Sequence, residues 1–232
     1  NLGTDTQNPN SSAVIDFTRS ADTFTVETGG TPVTFAFRNE IIQAQAGLIT
    51  LGLGDFVFLQ GGFAFEKQSG VQVTATDGES VTTDVLSFGG SNINAFVGAG
   101  PFFIDSDSDG RIEAGEATNP DAIGLSIQNL SFGLAIFTEQ TTIGTPPKYL
   151  ALKATADRAA LVGLEDVLTA DVRNITVEVN QVLADPDATP DALDLSAAPF
   201  SVATGGAPIE LAFSGERIAA SAGLVTLAIS DF

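Results

Sequence analysis

The feature that most constrains this chain is an internal duplication. Residues Phe24–Phe56 align without a gap with Phe200–Phe232, and 18 of the 33 aligned positions are identical. The offset between the two copies is 176 residues, and the Gly-Gly pair at Gly29 recurs at Gly205. Two segments this similar belong to a repeating architecture, in which each unit buries its apolar face against a neighbouring unit.

The duplication divides the chain into three parts. We expect residues 1–23 to be a linker and the start of a repeat unit, residues 24–199 to be one full unit of about 176 residues, and residues 200–232 to start the next unit. The second copy ends at Phe232 inside an expected strand, which suggests that an unpaired terminal strand completes the sheet of another subunit. The expected partners are therefore neighbouring repeats or identical subunits end to end.

Hydrophobic periodicity predicts strands throughout the unit. Apolar and polar residues alternate in segments such as Val33–Phe37 and Ile175–Asn180, which is the period of a half-buried strand. A weaker sub-repeat in Gly47–Gln68, Ile123–Gln140 and Leu161–Gln181 combines an apolar start, a small polar kink and an alternating strand. The sequence thus predicts an all-β fold.

Two all-β architectures explain these patterns. An elongated repetitive β-sheet, solenoid-like, accounts for similar strands separated by variable loops. Tandem β-sandwich domains account for the long period equally well, and we favour the solenoid-like architecture. Glycines inside strands, among them Gly52, Gly54 and Gly133, indicate bulges or close packing.

The composition excludes several functions. The chain has no Cys and no His, so it offers no disulfide, no thiolate and no imidazole base or ligand. Its 29 acidic and 9 basic residues give a formal net charge of −20, which repels nucleic acid and anionic membrane surfaces. No apolar run is long enough to span a bilayer. We expect no nucleic-acid partner and no membrane span, and divalent cations are the natural counter-ions.

The segment Asp105–Glu116 is the most specific chemical motif. Its sequence DSDSDGRIEAGE follows the ligand order of an EF-hand loop, with Gly110 at position six, where the chain must turn sharply. The expected Ca²⁺ ligands are Asp105, Asp107, Asp109, Arg111 through its backbone carbonyl, Glu113 and Glu116. Gly, Pro and β-branched residues in the flanks predict a loop between strands, without the paired helices of a sensor. The alternative is a solvated acidic turn.

The calcium loop, the repeated β pattern and the acidic, Cys-free composition resemble repeat regions of very large secreted bacterial surface proteins. These are the repetitive adhesins and the RTX-like calcium-dependent proteins. The resemblance covers the whole chain in style, and only the loop matches at the level of a motif; the glycine-rich nonapeptide repeat of RTX proteins is absent. The resemblance implies an extracellular or cell-surface location in a secreted bacterial protein.

These features together predict a structural or adhesive segment of a calcium-stabilised extracellular protein that builds a fibre, sheath or surface layer. One alternative is an adhesin module that binds cell-surface or matrix glycans. A less favoured alternative is a glycoside hydrolase with a carboxylate pair. Within the duplication only Glu40/Glu216 and Asp55/Asp231 are acidic in both copies, and these positions favour turns or strand ends. We therefore predict that the chain is not an enzyme.

Overall fold

All elements of the fold are β-strands. The computed structural model describes residues 14–18, 24–37, 40–113, 115–140, 144–184 and 191–229, and it has no helix within these ranges. The strands are β1 (Phe24–Val26), β2 (Val33–Phe35), β3 (Ile41–Leu53), β4 (Val57–Ala75), β5 (Ser80–Ala99), β6 (Ile123–Glu139), β7 (Lys148–Val162), β8 (Leu168–Ala184), β9 (Leu193–Asp194), β10 (Phe200–Val202), β11 (Ile209–Leu211) and β12 (Arg217–Ile229). The predicted all-β class is confirmed. In the described part of the chain, no helix of the length and apolarity needed to cross a membrane is found.

One large antiparallel sheet dominates the fold. Its strands follow the order β12-β8-β7-β6-β5-β4-β3, and the short β9 pairs with the end of β4. From β3 to β8 each strand pairs with the next strand along the chain, and these strands are 13 to 20 residues long. The result is a large antiparallel meander, which is compatible with both expected architectures, the elongated β-sheet and the β-sandwich.

Three asparagines interrupt the long strands at mid-length. Asn92 in β5, Asn129 in β6 and Asn174 in β8 have φ angles of 50°, 51° and 51°, a left-handed conformation that asparagine tolerates better than most residues. The pairing of β5 with β6 skips in register at the same level, between Gly90 and Ile93. The shift at Asn92 and Asn129 is a β-bulge, whereas β8 keeps its register at Asn174 with both of its neighbours.

The hairpin of β10 and β11 covers the main core. It contacts β5, β6 and β7, and its Val202 and Leu211 side chains are both 0% exposed. Complete burial of one such aliphatic side chain contributes about 2 kcal/mol. The two side chains belong to a cluster that includes residues of the sheet: Val73, Val85, Ala135, Phe137, Tyr149 and Ala151.

Strand glycines allow the hairpin to approach the sheet. A Cβ atom on Gly89 would lie 2.0 Å from the carbonyl oxygen of Ala203, and one on Gly133 would lie 3.1 Å from side-chain atoms of Val202 and Ile209. Gly133 therefore marks close packing, as the sequence indicates. Gly54 is different, because it lies in the turn after β3 with a φ of 56°.

The duplicated segments adopt the same local structure. Each copy forms a hairpin followed by a 13-residue strand, and the bounds of β1, β2 and β3 recur 176 residues later in β10, β11 and β12. The turns are also alike. The Thr28 hydroxyl donates to the carbonyl of Thr31 (3.0 Å), and the Thr204 hydroxyl donates to the carbonyl of Ala207 (2.7 Å).

The strand of the second copy lies at an edge of the large sheet. β12 pairs with β8 through twelve residue pairs. The expectation of an unpaired terminal strand is therefore wrong for the edge of β12 that faces β8. Residues 230–232, and residues 1–13 and 19–23 of the expected linker, lie outside the described residues.

Candidate metal centre

The acidic motif lies in the connection between β5 and β6. An isolated antiparallel bridge joins Phe103 to Thr118, and the Ile104 amide donates to the carbonyl of Ala117 (3.3 Å). The two flanks therefore run as a short antiparallel pair, and the loop projects from it. This confirms the prediction that the flanks of the motif are not helical.

Three of the expected ligands converge at the tip of the loop. One carboxylate oxygen from each of Asp105, Asp107 and Asp109 lies within 4.8 Å of the other two. Two unit charges at this separation repel by about 1 kcal/mol even in bulk water. Backbone amides offset part of this repulsion: Asp105 accepts hydrogen bonds from the amides of Asp109 (3.2 Å) and Gly110 (2.8 Å).

The sharp turn at position six has the expected geometry. Gly110 has a φ of 83°, a conformation that glycine adopts without steric cost. The following amide, that of Arg111, donates to the Asp109 carboxylate (2.8 Å). Ser108 also has a positive φ, 62°. Alternating left-handed residues and side-chain bonds to nearby amides curl the chain so that the aspartates face one another.

Glu116 folds back across the base of the loop. One oxygen of its carboxylate accepts from the Ser106 amide (2.7 Å), and the other accepts from the Glu113 amide (2.9 Å). Glu116 lies outside the group of three aspartates that converge within 4.8 Å. The structure thus assembles Asp105, Asp107 and Asp109 at the tip and places Glu116 and Glu113 on the returning limb.

Two amide side chains of the sheet hold the loop in place. Gln60 in β4 is 4% exposed; its Nε2 donates to the carbonyl of Gly110 (3.1 Å), and its Oε1 accepts from the Ile112 amide (2.6 Å). Asn94 in β5 donates to the carbonyl of Ile112 (3.4 Å). Because these bonds link the turn of the loop to two long strands, the loop is a fixed part of the sheet.

An aromatic cluster supports the base of the loop. Phe102 stacks on Phe96 of β5, with ring centroids 5.7 Å apart, and Phe103 packs against Phe58 of β4 at 5.5 Å. Phe96 and Phe102 are both buried, at 1% and 6% exposure, within the second apolar cluster of the fold. Aromatic pairs of this kind add about 1 kcal/mol beyond burial.

Sequence reasoning missed Gln60 and Asn94. They lie 50 and 18 residues from the backbone groups they bind, and in the sequence each is one polar residue of an alternating strand. A weak signal exists for Gln60, because it directly precedes Gly61 and Gly62, where the strand has no side chains.

The donor set fits a hard cation. Calcium takes six to eight oxygen ligands from carboxylates, carbonyls and water in flexible geometry, and the loop presents carboxylate oxygens around a turn. The residues that the structure brings together for a cation are Asp105, Asp107 and Asp109; the other expected ligands, Arg111, Glu113 and Glu116, lie outside this group. The loop offers no thiolate and no imidazole, because the chain contains no Cys and no His.

A polar cleft of about 600 Å³ lies between the loop and the sheet. Its floor comes from the mid-strand region of the sheet, and its wall comes from the returning limb of the loop. The polar side chains that line it are Gln60, Asn92, Asn94, Gln128, Asn129, Asp157, Arg111, Glu113, Glu116 and Thr118.

No protein-family model, no curated protein and no solved structure matches the chain.

Proposed function

We propose that the chain is a structural segment of an extracellular, calcium-stabilised tandem-repeat protein that builds a fibre, sheath or surface layer. The observation that supports the proposal best is the acidic loop. Its aspartates follow the ligand order of a calcium loop and converge within 4.8 Å. The backbone that follows them is bonded to a long sheet through Gln60 and Asn94. A metal bound there reinforces a rigid β-structure.

In this proposal the ion acts by neutralising charge. The loop contains five carboxylates between Asp105 and Glu116 and one compensating cation, Arg111. Calcium removes the repulsion among the converging aspartates and ties the tip of the loop to its returning limb. Sensor proteins open because the ion moves two helices. Here the flanks form a β-bridge, so the ion stiffens the loop and switches nothing.

The chemistry of such sites is the reason for the proposed extracellular location. Extracellular calcium modules bind with dissociation constants of about 10⁻⁴ to 10⁻³ M, and they are filled only where calcium is abundant. A chain with a net charge of −20 also benefits from divalent counter-ions. The proposal assigns no catalytic residue to the chain.

Thermal unfolding with and without calcium tests the proposal. At 10 mM calcium, a dissociation constant in the range above stabilises the folded chain by about 1.4 to 2.7 kcal/mol. For a chain of this length the melting temperature rises by about 3 to 11 °C. The variant Asp107→Ala should lose this rise, and magnesium should give a smaller rise because it demands stricter octahedral geometry.

Asp77→Ala is the matched control. Asp77 is an exposed turn aspartate that accepts from the amide two residues later, Glu79 (2.8 Å), as Asp107 accepts from the Asp109 amide (3.2 Å). Its variant should keep the full calcium response. The proposal fails if calcium leaves the melting temperature of the natural chain unchanged, or if Asp107→Ala responds as the natural chain does.

The polar cleft favours a second candidate function, a module that binds a neutral glycan. Carboxamide and carboxylate groups supply the hydrogen-bond donors and acceptors that sugar hydroxyls need, and Phe103 adds an aromatic surface. NMR titration with neutral oligosaccharides tests it. Saturable binding that is lost in Gln128→Leu supports the candidate, whereas no binding, or equal binding by that variant, removes it.

A further inference from the structure

The two copies of the duplicated hairpin have opposite surroundings. In β10–β11, Val202 is 0% exposed because the hairpin lies on the sheet. In β1–β2 the equivalent residue, Val26, is 41% exposed, and Phe24 is 54% exposed. The same sequence pattern and the same turn therefore produce a covered hairpin in one copy and an uncovered hairpin in the other.

The uncovered hairpin carries an apolar cluster that matches the covered one. Phe17, Phe24, Phe35 and Phe37 form a chain of ring contacts with centroids 5.5 to 5.8 Å apart. Their counterparts in the second copy pack into the main core on the sheet: Leu195, which aligns with Phe17 after a gap of two residues, and Phe200, Leu211 and Phe213. The backbone bond from Phe17 to Phe37 (3.0 Å) also recurs, from Leu195 to Phe213 (2.6 Å).

The strands that follow the hairpins show the same contrast. β12 pairs with β8 over nearly its whole length. β3, its counterpart, pairs with β4 on one edge, and no described strand pairs with its other edge. The contrast lies in the pairing and not in the side chains, because Leu51 of β3 (55%) and its counterpart Leu227 of β12 (73%) are both exposed.

The free edge of β3 corresponds to the edge of β12 that binds β8. Six antiparallel steps separate the two strands in the sheet, so they run in the same direction. β4 lies to one side of β3, and β8 lies to the opposite side of β12. If a second copy of the sheet is moved by six strands so that its β12 superimposes on β3, the β8 of that copy lies at the free edge of β3.

One duplicated glycine marks the position of that additional strand. A Cβ atom on Gly223 would lie 3.0 Å from the side-chain nitrogen of Asn174, the left-handed residue of β8. Gly47 occupies the same repeat position, and the nearest atom that its Cβ would meet is the Gly205 carbonyl oxygen at 3.6 Å. The space that Asn174 fills beside Gly223 thus has a counterpart beside Gly47.

We propose that the free edge of β3 and the apolar face of β1–β2 bind β8 and the sheet face of a second copy of the unit. The register is that of β12 on β8, which pairs Ala44 with Val177 of the second copy. One antiparallel sheet then runs through successive units and grows by six strands, or about 29 Å, per unit. The inference rests on the tandem-repeat part of the proposed function and not on its calcium site.

Disulfide trapping in a two-unit chain tests this register. The two-unit chain joins residue 199 of one copy to residue 24 of a second copy that continues to residue 232. The protein has no cysteine of its own, so every introduced pair is unambiguous. Val177→Cys in the first copy and Ala44→Cys in the second should oxidise to a disulfide, because paired strand residues lie within bridging distance.

Two control pairs calibrate the experiment. Val177→Cys with Ala220→Cys in the natural chain uses an observed pairing and sets the expected yield. Val177→Cys with Ile49→Cys in the two-unit chain is out of register by five residues, about 17 Å, and should stay reduced. Peptide mapping by mass spectrometry measures the disulfide yield of each pair. The yield of the Val177–Ala44 pair should match that of the Val177–Ala220 pair in the natural chain within about twofold.

Three results would overturn the inference. The first is an Ala44 pair that stays reduced while the natural-chain pair oxidises. The second is an Ile49 pair that oxidises equally well. The third is a cysteine-free two-unit chain that unfolds at a lower urea concentration than the natural chain, since the junction should bury apolar surface. The disulfide trapping is carried out without calcium, so its result does not depend on the calcium site. Either proposal can therefore fail while the other holds.

Discussion

Asn180 gives the sharpest test of how the fold is held together. Its side chain is 0% exposed, and its Nδ2 donates to the carbonyls of Leu193 and Gly215, both at 2.8 Å. One amide of β8 therefore holds the start of β9 and the segment that leads into β12. Asn180→Ala removes both bonds and leaves two carbonyls without a donor.

The expected loss of stability follows from these two bonds. A buried polar group without a partner costs about 1 to 3 kcal/mol, so a loss of about 3 kcal/mol is expected for the variant. In a chain of this length, that loss lowers the melting temperature by about 6 to 12 °C. Asn180→Asp should lose more, because it places a carboxylate against two carbonyl oxygens.

Urea unfolding measures the effect. The chain has one tyrosine and no tryptophan, and Tyr149 is 7% exposed within the main core, so its fluorescence reports on core packing. Gln72→Ala is the matched control, because Gln72 also makes side-chain bonds to Ser80 and Thr82 but is exposed; its loss should stay below about 0.5 kcal/mol. An Asn180→Ala variant as stable as Gln72→Ala would refute the reasoning.

Two further predictions concern packing and acid stability. Gly89→Ala should lower the free energy of unfolding by about 1 to 3 kcal/mol in urea, because its Cβ would lie 2.0 Å from the Ala203 carbonyl oxygen. Gly52→Ala should be about as stable as the natural chain, because its Cβ would have no atom within 4 Å. Equal losses of stability in the two variants would contradict the packing. A hydrogen bond from Arg173, together with Arg158, lowers the pKa of Asp171 below its usual 3.8. The stabilisation by Asp171, about 1 kcal/mol for a partly exposed ion pair, should therefore be present above pH 4 and be lost as the pH falls below 3.8. An Asp171→Asn deficit that persists unchanged at pH 2 would contradict this.

Local patterns predict the elements of this fold well. Alternation of apolar and polar residues predicts the strands in the middle of the sheet, such as β5 and β7, because one face of each is more buried than the other. The duplication predicts that β1–β3 and β10–β12 adopt one structure. The spacing of Asp105, Asp107 and Asp109 predicts their convergence, because a twelve-residue loop with Gly110 at its turn has few ways to fold.

Long-range contacts are beyond the reach of these patterns. The bonds from Gln60 and Asn94 to the loop join residues that only the assembled sheet brings together. The docking of β10–β11 depends on the missing side chains of Gly89 and Gly133, and glycine within a strand is equally typical of a bulge or a sharp bend. The pairing of β12 is not predicted, because sequence alone does not reveal that β8 ends the meander with a free edge.

The crystal structure of the calcium-soaked chain tests the central claim most directly. The account predicts one calcium ion in the loop, bonded at about 2.3 to 2.6 Å to the carboxylates of Asp105, Asp107, Asp109 and Glu116 and to the carbonyl of Arg111, with Gln60 and Asn94 still bound to the loop. A soaked crystal with no calcium in this loop, or with calcium bound only by other acidic residues, would contradict it.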